Sequence, residues 1–350
     1  MKILSVVIIF NSILSAYSYI VSSVPFYQKP KANISPFNEW HCIDFVQNID
    51  KKKPFSFNIG ELPLVSWFNT SEAYTTINIC SHMGSKLDHG KVTNGCLSCP
   101  YHGLQHNKDK TFGETVIFQD KLWWSYEPKH KLPPKIPFYN NKRFETTFIT
   151  VDIDANLVDC AFNTMDVNHP AFVHNNLLGF GSSIPPTNIE TITYPKNQDK
   201  VGLAFTYKSN SNLIHLKREL KLSKNFHVYE YPYTTWSRVS LPNNEHLFVN
   251  VNMLPLGPDK TRWFVTLKHN FWHKTRLEKE MMKFCADCIL FQDKQQLSRQ
   301  APSSDLKALV MNQEQFVFEE HFNDLRYMFS KYTYPDKQKV IELYKYHKQK

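Results

Sequence analysis

Glycine is scarce, with 10 residues in a chain of 350, and cysteine numbers only 7, an odd count. Little glycine and no Gly-X-Y period exclude a collagen-like chain. There are no heptads and no repeat of about 20–50 residues, which sets aside coiled coils and solenoids. Cysteine this sparse does not make a disulfide scaffold, and several of the cysteines sit beside histidines, which points toward metal. What is present is a large apolar complement. The chain is 42% hydrophobic and 14% aromatic, enough to bury a sizeable core in one or two domains and to exclude wholesale disorder. The formal net charge is +9. Much of the excess is local, at Lys51–Lys53 and in the tail from Lys331 to Lys350, so it reads as solvated surface, and nucleic acid is not an expected partner.

After Lys2 no charged side chain occurs until Lys29. Ile3 to Phe10 is strongly apolar and Asn11 to Tyr19 is mixed, so residues 1–25 read as a leader or anchor. Ala16-Tyr17-Ser18 is a passable cleavage site, and a buried first strand is the alternative. Asn33-Ile34-Ser35 and Asn69-Thr70-Ser71 match the glycosylation triplet, a pattern common by chance.

From Trp40 to about Tyr126 the segments are short, β-rich and punctuated by turns, with strands expected at Leu64–Phe68, Thr75–Ile79 and Thr115–Phe118. Glu127 to Pro137, rich in Lys and Pro, reads as a linker. A strand at Phe144–Ile153, a short helix around Leu157–Val173 and a loop at Ser182–Asn188 come next. Further strands are expected at Val201–Tyr207, His227–Tyr233, His246–Leu254 and Arg262–Phe271, then a helix from about Thr275 to Gln300. The remainder from Asp305 reads as helical and polar. The layout is a small all-β domain followed by an α+β domain with an antiparallel sheet and a long helix.

Two constellations carry chemistry. Cys80-Ser81-His82 is followed, after sixteen residues, by Cys99-Pro100-Tyr101-His102-Gly103. Zinc could accept two Cys and two His, but Cys-x-His is no finger spacing and no finger helix follows. A [2Fe–2S] centre with two thiolates on one iron and two imidazoles on the other fits better. Further on, His169 and His174 are separated by four residues, with Pro170 between them. On an unbroken helix they would diverge by roughly 140°, but a break at proline lets both imidazoles reach one ion. Two His and a carboxylate with open positions make a mononuclear iron(II) site for dioxygen. The carboxylate is expected from the long helix, at Asp287 or Asp293. One face there carries Leu277, Met281, Phe284, Cys288 and Phe291, and a second carries Met282, Ala286, Ile289, Asp293 and Leu297. A carboxylate inside an apolar stripe is costly unless it is paired or bound to a cation, which favours Asp293. Cys285-Ala286-Asp287-Cys288 is a CxxC at i,i+3, read as core thiols or a redox pair, and Cys96 as a small core residue.

Cys80-Ser81-His82-Met83-Gly84 and Cys99-Pro100-Tyr101-His102-Gly103 resemble the two cluster-binding loops of the Rieske family. Respiratory members carry a further cysteine in each loop. Here those positions hold Ser85 and Tyr101, so the resemblance is to oxygenase-type or ferredoxin-type domains. Leu104 stands where the family commonly has Trp. Asn163, Asp166, His169 and His174 resemble the Asn-x-x-Asp-x-x-His-x4-His motif of Rieske non-haem iron oxygenases, with Phe162 in place of the usual Glu. Phe291 to Gln300 resembles the family's last iron-ligand segment.

The resemblance implies a Rieske domain over residues 36–135, a helix-grip (Bet v1-like) catalytic domain over 140–330 and a basic tail over 331–350. It implies a [2Fe–2S] cluster on Cys80, His82, Cys99 and His102, and mononuclear Fe(II) on His169, His174 and Asp293. A ferredoxin or flavin reductase would supply electrons, dioxygen would be co-substrate, and the substrate would be apolar. Asp166 would bridge His102 and His169, across the boundary of a head-to-tail homotrimer. The relatives evoked are pheophorbide a and chlorophyllide a oxygenases, vanillate demethylase and ketosteroid or sterol oxygenases. A tetrapyrrole substrate is the first expectation, with sterol oxidation or aromatic O-demethylation as alternatives. A Rieske electron carrier with a non-catalytic second domain is the rival class. A reducing compartment, reached by membrane anchoring or organelle targeting, is expected rather than secretion.

Overall fold

The computed structural model describes residues 36–137, 139–174, 187–192, 194, 199–206, 224–240, 244–272, 274–301, 320–330 and 332–349. The expected leader, the Asn33 triplet and most of the Ser182–Asn188 loop lie outside these residues. Among the described residues no helix is long and apolar enough to cross a membrane.

The N-terminal part is built from short strands: β1 (His41–Phe45), β2 (Phe55–Ile59), β3 (Leu62–Asn69), β4 (Glu72–Ile77), β5 (Lys91–Thr93), β6 (Cys96–Ser98), β7 (Gln105–His106), β8 (Glu114–Phe118) and β9 (Lys121–Ser125). They form three small sheets, in the orders β1-β9-β8, β2-β3-β4 and β5-β6-β7. The C-terminal part is one antiparallel sheet of β10 (Glu145–Ile153), β11 (Thr187–Ile192), β12 (Lys200–Thr206), β13 (Asn225–Glu230), β14 (Thr234–Ser240), β15 (His246–Gly257) and β16 (Lys260–His269). Its order is β10-β16-β15-β14-β13-β12-β11. The helices are α1 (Leu157–Met165), α2 (Arg276–Ser298), α3 (Glu320–Phe329) and α4 (Lys337–Gln349). This is the expected α+β division.

β15 and β16 are buried on both faces, and side-chain alternation explains how. Val251, Met253, Trp263, Val265 and Leu267 face a core shared with Met282, Ala286, Leu290 and Leu297 of α2 and with Leu157, Cys160, Ala161 and Met165 of α1. Leu254 and Phe264 face the opposite way, into a core shared with Phe45, Leu122 and Trp123 of the N-terminal sheets. A buried cation sits on that junction. Lys121 Nζ donates to Asn250 Oδ1 at 2.7 Å and to Asn252 Oδ1 at 2.5 Å. Burial pushes its pKa down to about 8.

Several elements differ from expectation, among them β11, which begins at Thr187 inside the expected loop. α1 stops at Met165, well before Pro170. Asp166 leaves the helix in an extended conformation, and its carboxylate accepts from Asn168 N–H at 2.8 Å and His169 N–H at 3.2 Å. This local side-chain turn competes with helix continuation. A separate 3-10 turn, His169–Ala171, then carries the proline at its start. β13 ends at Glu230, before Pro232, and β14 follows as a strand that was not expected. Finally, the basic tail is no free tail. Leu343 of α4 is buried in the N-terminal core, with Val340 packed against it. The His347 ring lies 4.8 Å from Phe112, and Glu61 N–H donates to Pro335 O at 2.9 Å.

Candidate functional site

The first constellation sits on two loops of one design. Cys80 N–H donates to Ser85 O at 2.8 Å, and Gly84 N–H donates back to Cys80 O at 2.9 Å. Cys99 N–H donates to Leu104 O at 2.9 Å, and Gly103 N–H returns to Cys99 O at 3.0 Å. Gly84 and Gly103 have φ of 73° and 75°, and a Cβ at either would meet nothing within 4 Å. Left-handed backbone, not space, therefore requires glycine there. Asn78, which sequence reading passed over, braces the first loop by accepting from Leu87 N–H at 2.8 Å and Asp88 N–H at 3.0 Å.

Cys80 and Cys99 are buried with Val65, Trp67, Leu87 and Leu97, whereas His82 and His102 are exposed, their rings 4.8 Å apart. Burial opposes ionisation of Cys99, but the Tyr101 backbone, the Cys80 thiol and the His102 backbone together hold its pKa below the usual thiol value. Two buried sulfurs beside two exposed imidazoles fit a [2Fe–2S] group with a solvent-facing histidine edge. Leu104 packs against the same small core, and Ser85 and Tyr101 leave no cysteine for a bridge between the loops. All seven cysteines are free thiols.

The second constellation gathers residues from three elements: Asn163 from α1, His169 and His174 from the 3-10 turn and just after it, and Asp293 from α2. The donor atoms of His169, His174 and Asp293 lie within 4.8 Å of one another. His174 Nε2 is 3.1 Å and His169 Nε2 3.4 Å from Asp293 Oδ1, with Asn163 Nδ2 at 3.4 Å from the same oxygen. The two Nδ1 atoms are spent elsewhere. His169 Nδ1 donates to the Asp166 backbone carbonyl at 2.6 Å, and His174 Nδ1 to Gln292 Oε1 at 2.8 Å. Two Nε2 lone pairs and a carboxylate thus face one another, and only a proton or a cation between them makes the cluster favourable. The protonated solution has a signature. Burial works against it, yet hydrogen bonds from His169 and His174 hold Asp293 down at about 2. Burial likewise opposes the His169 cation, but Asp293 raises its pKa overall. The residues fit a divalent iron with three protein ligands and fixed imidazole tautomers.

Asp287 falls outside this group and pairs with Lys283 at 2.6 Å. The buried face of α2 is Met282, Ala286, Leu290, Asp293 and Leu297, with Leu290 in place of the half-buried Ile289. The expected bridge through the Asp166 carboxylate is corrected in one respect. Within the chain that carboxylate is engaged by backbone N–H groups, and His169 bonds the Asp166 carbonyl instead. Among the described residues no hydrogen bond or ring contact joins His82 or His102 to Asp166, His169 or His174. Gln292 was not singled out from sequence. Its only signal was its place beside Asp293.

Residues 39–115 match the family model of the Rieske [2Fe-2S] domain, so this segment is a Rieske domain. The chain carries the fold of the Rieske non-haem iron oxygenases, which are its structural neighbours. It superposes on the crystal structure of dicamba monooxygenase bound to dicamba with a TM-score of 0.70 and 14% identity, covering 90% of this chain and 99% of that one. In sequence it is 26% identical over 161 residues to the oxygenase component of dicamba O-demethylase from Stenotrophomonas maltophilia, 39% of this chain and 47% of that protein. It is 34% identical over 71 residues to the oxygenase component of 3-ketosteroid-9-alpha-monooxygenase from Mycolicibacterium smegmatis, 20% of this chain and 18% of that protein. The match spans less than half the length of either relative. The Rieske domain implies a [2Fe–2S] cluster.

Proposed function

We propose that the chain is the terminal oxygenase of a Rieske-type system, oxidising an apolar ring compound with dioxygen and electrons from a ferredoxin or flavin reductase. The observation that carries this is the convergence of His169, His174 and Asp293, from distant segments, downstream of a Rieske domain. Iron held there with open positions supplies the dioxygen chemistry of two-His, one-carboxylate sites. The chain's own residues fix that site. Asp166 and Gln292 set both imidazole tautomers, and Asn163 and the apolar wall of α1 and α2 shield Asp293 from water. The exposed edge of His82 and His102 suits electron exchange with a partner protein, and a head-to-tail homotrimer would bring one chain's cluster to another chain's iron. The neighbours' names favour O-demethylation or ring hydroxylation of a ketosteroid-like or aromatic compound. The tetrapyrrole reading keeps only the resemblance of Asn163–His174 and Phe291–Gln300. Five unpaired cysteines besides the cluster candidates Cys80 and Cys99 favour a reducing compartment.

Anaerobic reconstitution tests the reading. About three irons per chain are expected, two in the cluster and one mononuclear. Oxygen uptake and product mass spectrometry follow across methoxylated aromatics, ketosteroids and tetrapyrroles. A chain that binds only two irons, with a Rieske spectrum and no substrate-dependent oxygen uptake, is an electron carrier instead.

A further inference from the structure

The solvent side of α2 carries an apolar seam that no described residue covers. Leu277, Met281, Phe284 and Phe291 are 70%, 45%, 68% and 58% exposed, and the half-buried Cys288 lies among them. The steps from Leu277 to Met281, Phe284, Cys288 and Phe291 alternate between four and three residues. That is the narrow a/d repeat of a helix that packs on one other helix, whereas a core-facing stripe is broader. The core-facing side of α2 is already filled by Met282, Ala286, Leu290, Asp293 and Leu297. Sequence reading found no heptads because the run spans little more than two and shares its helix with a second apolar face. Exposure is what separates the faces.

We propose that α2 pairs antiparallel with α2 of a second copy of this chain, about a two-fold axis near Ala286 and Asp287. The seam is self-complementary in that register. Phe284 packs on Cys288 of the second copy, Met281 on Phe291, and Leu277 on the stem of Gln295, each contact occurring twice. The flanking charges select the direction. Glu280 is exposed with no ion pair among the described residues, Lys294 acts on Asp152 without closing an ion pair, and antiparallel pairing sets Glu280 level with Lys294 of the second copy on both sides of the axis. Asp287 meets its own image near the axis, but Lys283 already neutralises it at 2.6 Å. A parallel pair would instead set Lys294 beside Arg299 of the other copy, which is repulsive. The seam lies opposite Asp293 on α2, so the pairing leaves the iron site intact and goes beyond the proposed oxidation chemistry.

The test is sedimentation velocity on the full, metal-loaded chain, comparing wild type with Phe284→Asp, Glu280→Lys, Lys294→Glu and the double charge swap. Phe284 and Glu280 are exposed and Lys294 is half-buried, and the visible cluster spectrum checks that each variant is folded. Together with the proposed head-to-tail trimer, the pairing makes the wild-type particle a hexamer of two trimers, which should halve in mass in Phe284→Asp. Each single reversal should weaken pairing by at least about tenfold, and the double swap should restore it. Iodoacetamide should alkylate Cys288 faster in Phe284→Asp than in wild type. Equal masses in wild type and Phe284→Asp would overturn the proposal, as would a double swap no better than the single reversals. Binding to phosphatidylserine vesicles that Phe284→Asp abolishes without changing the mass would assign the seam to a membrane surface instead.

Discussion

Lys121→Met removes a buried charge from the junction of the two parts without changing the shape of the core much. Lys121 is fully buried and its pKa falls from 10.5 to about 8, chiefly through desolvation. At ~1.4 kcal/mol per pH unit, that fall corresponds to about 3 kcal/mol. The sign follows from linkage. Between pH 8 and 10.5 the unfolded chain holds the lysine proton and the folded chain has released it, so stability rises with pH. Below pH 8 both states are protonated and the folded state bears the full cost. Methionine removes that cost but leaves the side-chain oxygens of Asn250 and Asn252 without their donor, at about 1–3 kcal/mol each. The two effects nearly offset at pH 7. As the pH rises from 8 to 10.5 wild type should gain about 3 kcal/mol over Lys121→Met. Only this difference is diagnostic. Burial pushes Cys42 and Cys160 up to about 12, so wild type itself loses stability above about pH 9, where unfolded thiols ionise. Urea unfolding of both proteins at pH 7, 8, 9 and 10, followed by tryptophan fluorescence, measures the difference. A difference that stays flat across that range refutes the buried-cation account.

Cys99→Ser should abolish the visible cluster spectrum while the chain still binds one mononuclear iron, measured by absorbance and metal analysis after reconstitution. Asp293→Ala should lower iron content by one per chain and spare the cluster, whereas Asp287→Ala, which only releases Lys283, should change neither. Gln292→Leu should weaken Fe(II) affinity by about 10–100-fold, because His174 loses the acceptor that fixes its Nδ1 proton. Anaerobic Fe(II) titration checks this, and an unchanged affinity would remove Gln292 from the site.

Legibility in the sequence followed the distance over which each feature is determined. The cluster loops were readable because each supplies a thiol and an imidazole within four residues, with a glycine at the turn. Asp293 was readable because a carboxylate in an apolar stripe demands a reason, and it lies on the buried face of α2. The Nδ1 partners were not readable. One is a backbone carbonyl whose direction depends on where α1 ends, and the other joins positions 118 residues apart. α4 was misjudged because its composition is basic and polar, and only a partner surface far away in sequence makes Val340 and Leu343 a docking face. Lys121 was invisible for a related reason. It precedes Leu122-Trp123-Trp124 at the end of a hairpin, where lysine normally turns to solvent. Here the two asparagines on β15 hold it inside.

Those two unanticipated contacts constrain how the chain could work under the proposed function. If the Rieske domain swung to bring its own His102 to Asp166, it would have to leave the face of β15 and β16. That would strip Lys121 from its asparagines, detach α4, and expose Leu254 and Phe264, each worth about 1.5–3 kcal/mol when buried. Leu254 and Phe264 together come to about 3–6 kcal/mol, which reaches only the lower end of an ordinary domain's stability of about 5–15 kcal/mol but keeps such a swing rare. The clamp therefore argues for fixed domains and for electron delivery from a neighbouring chain. Under the proposed trimer, rigidity at this junction would set where the exposed histidines of one copy meet the half-buried Asp166 of the next.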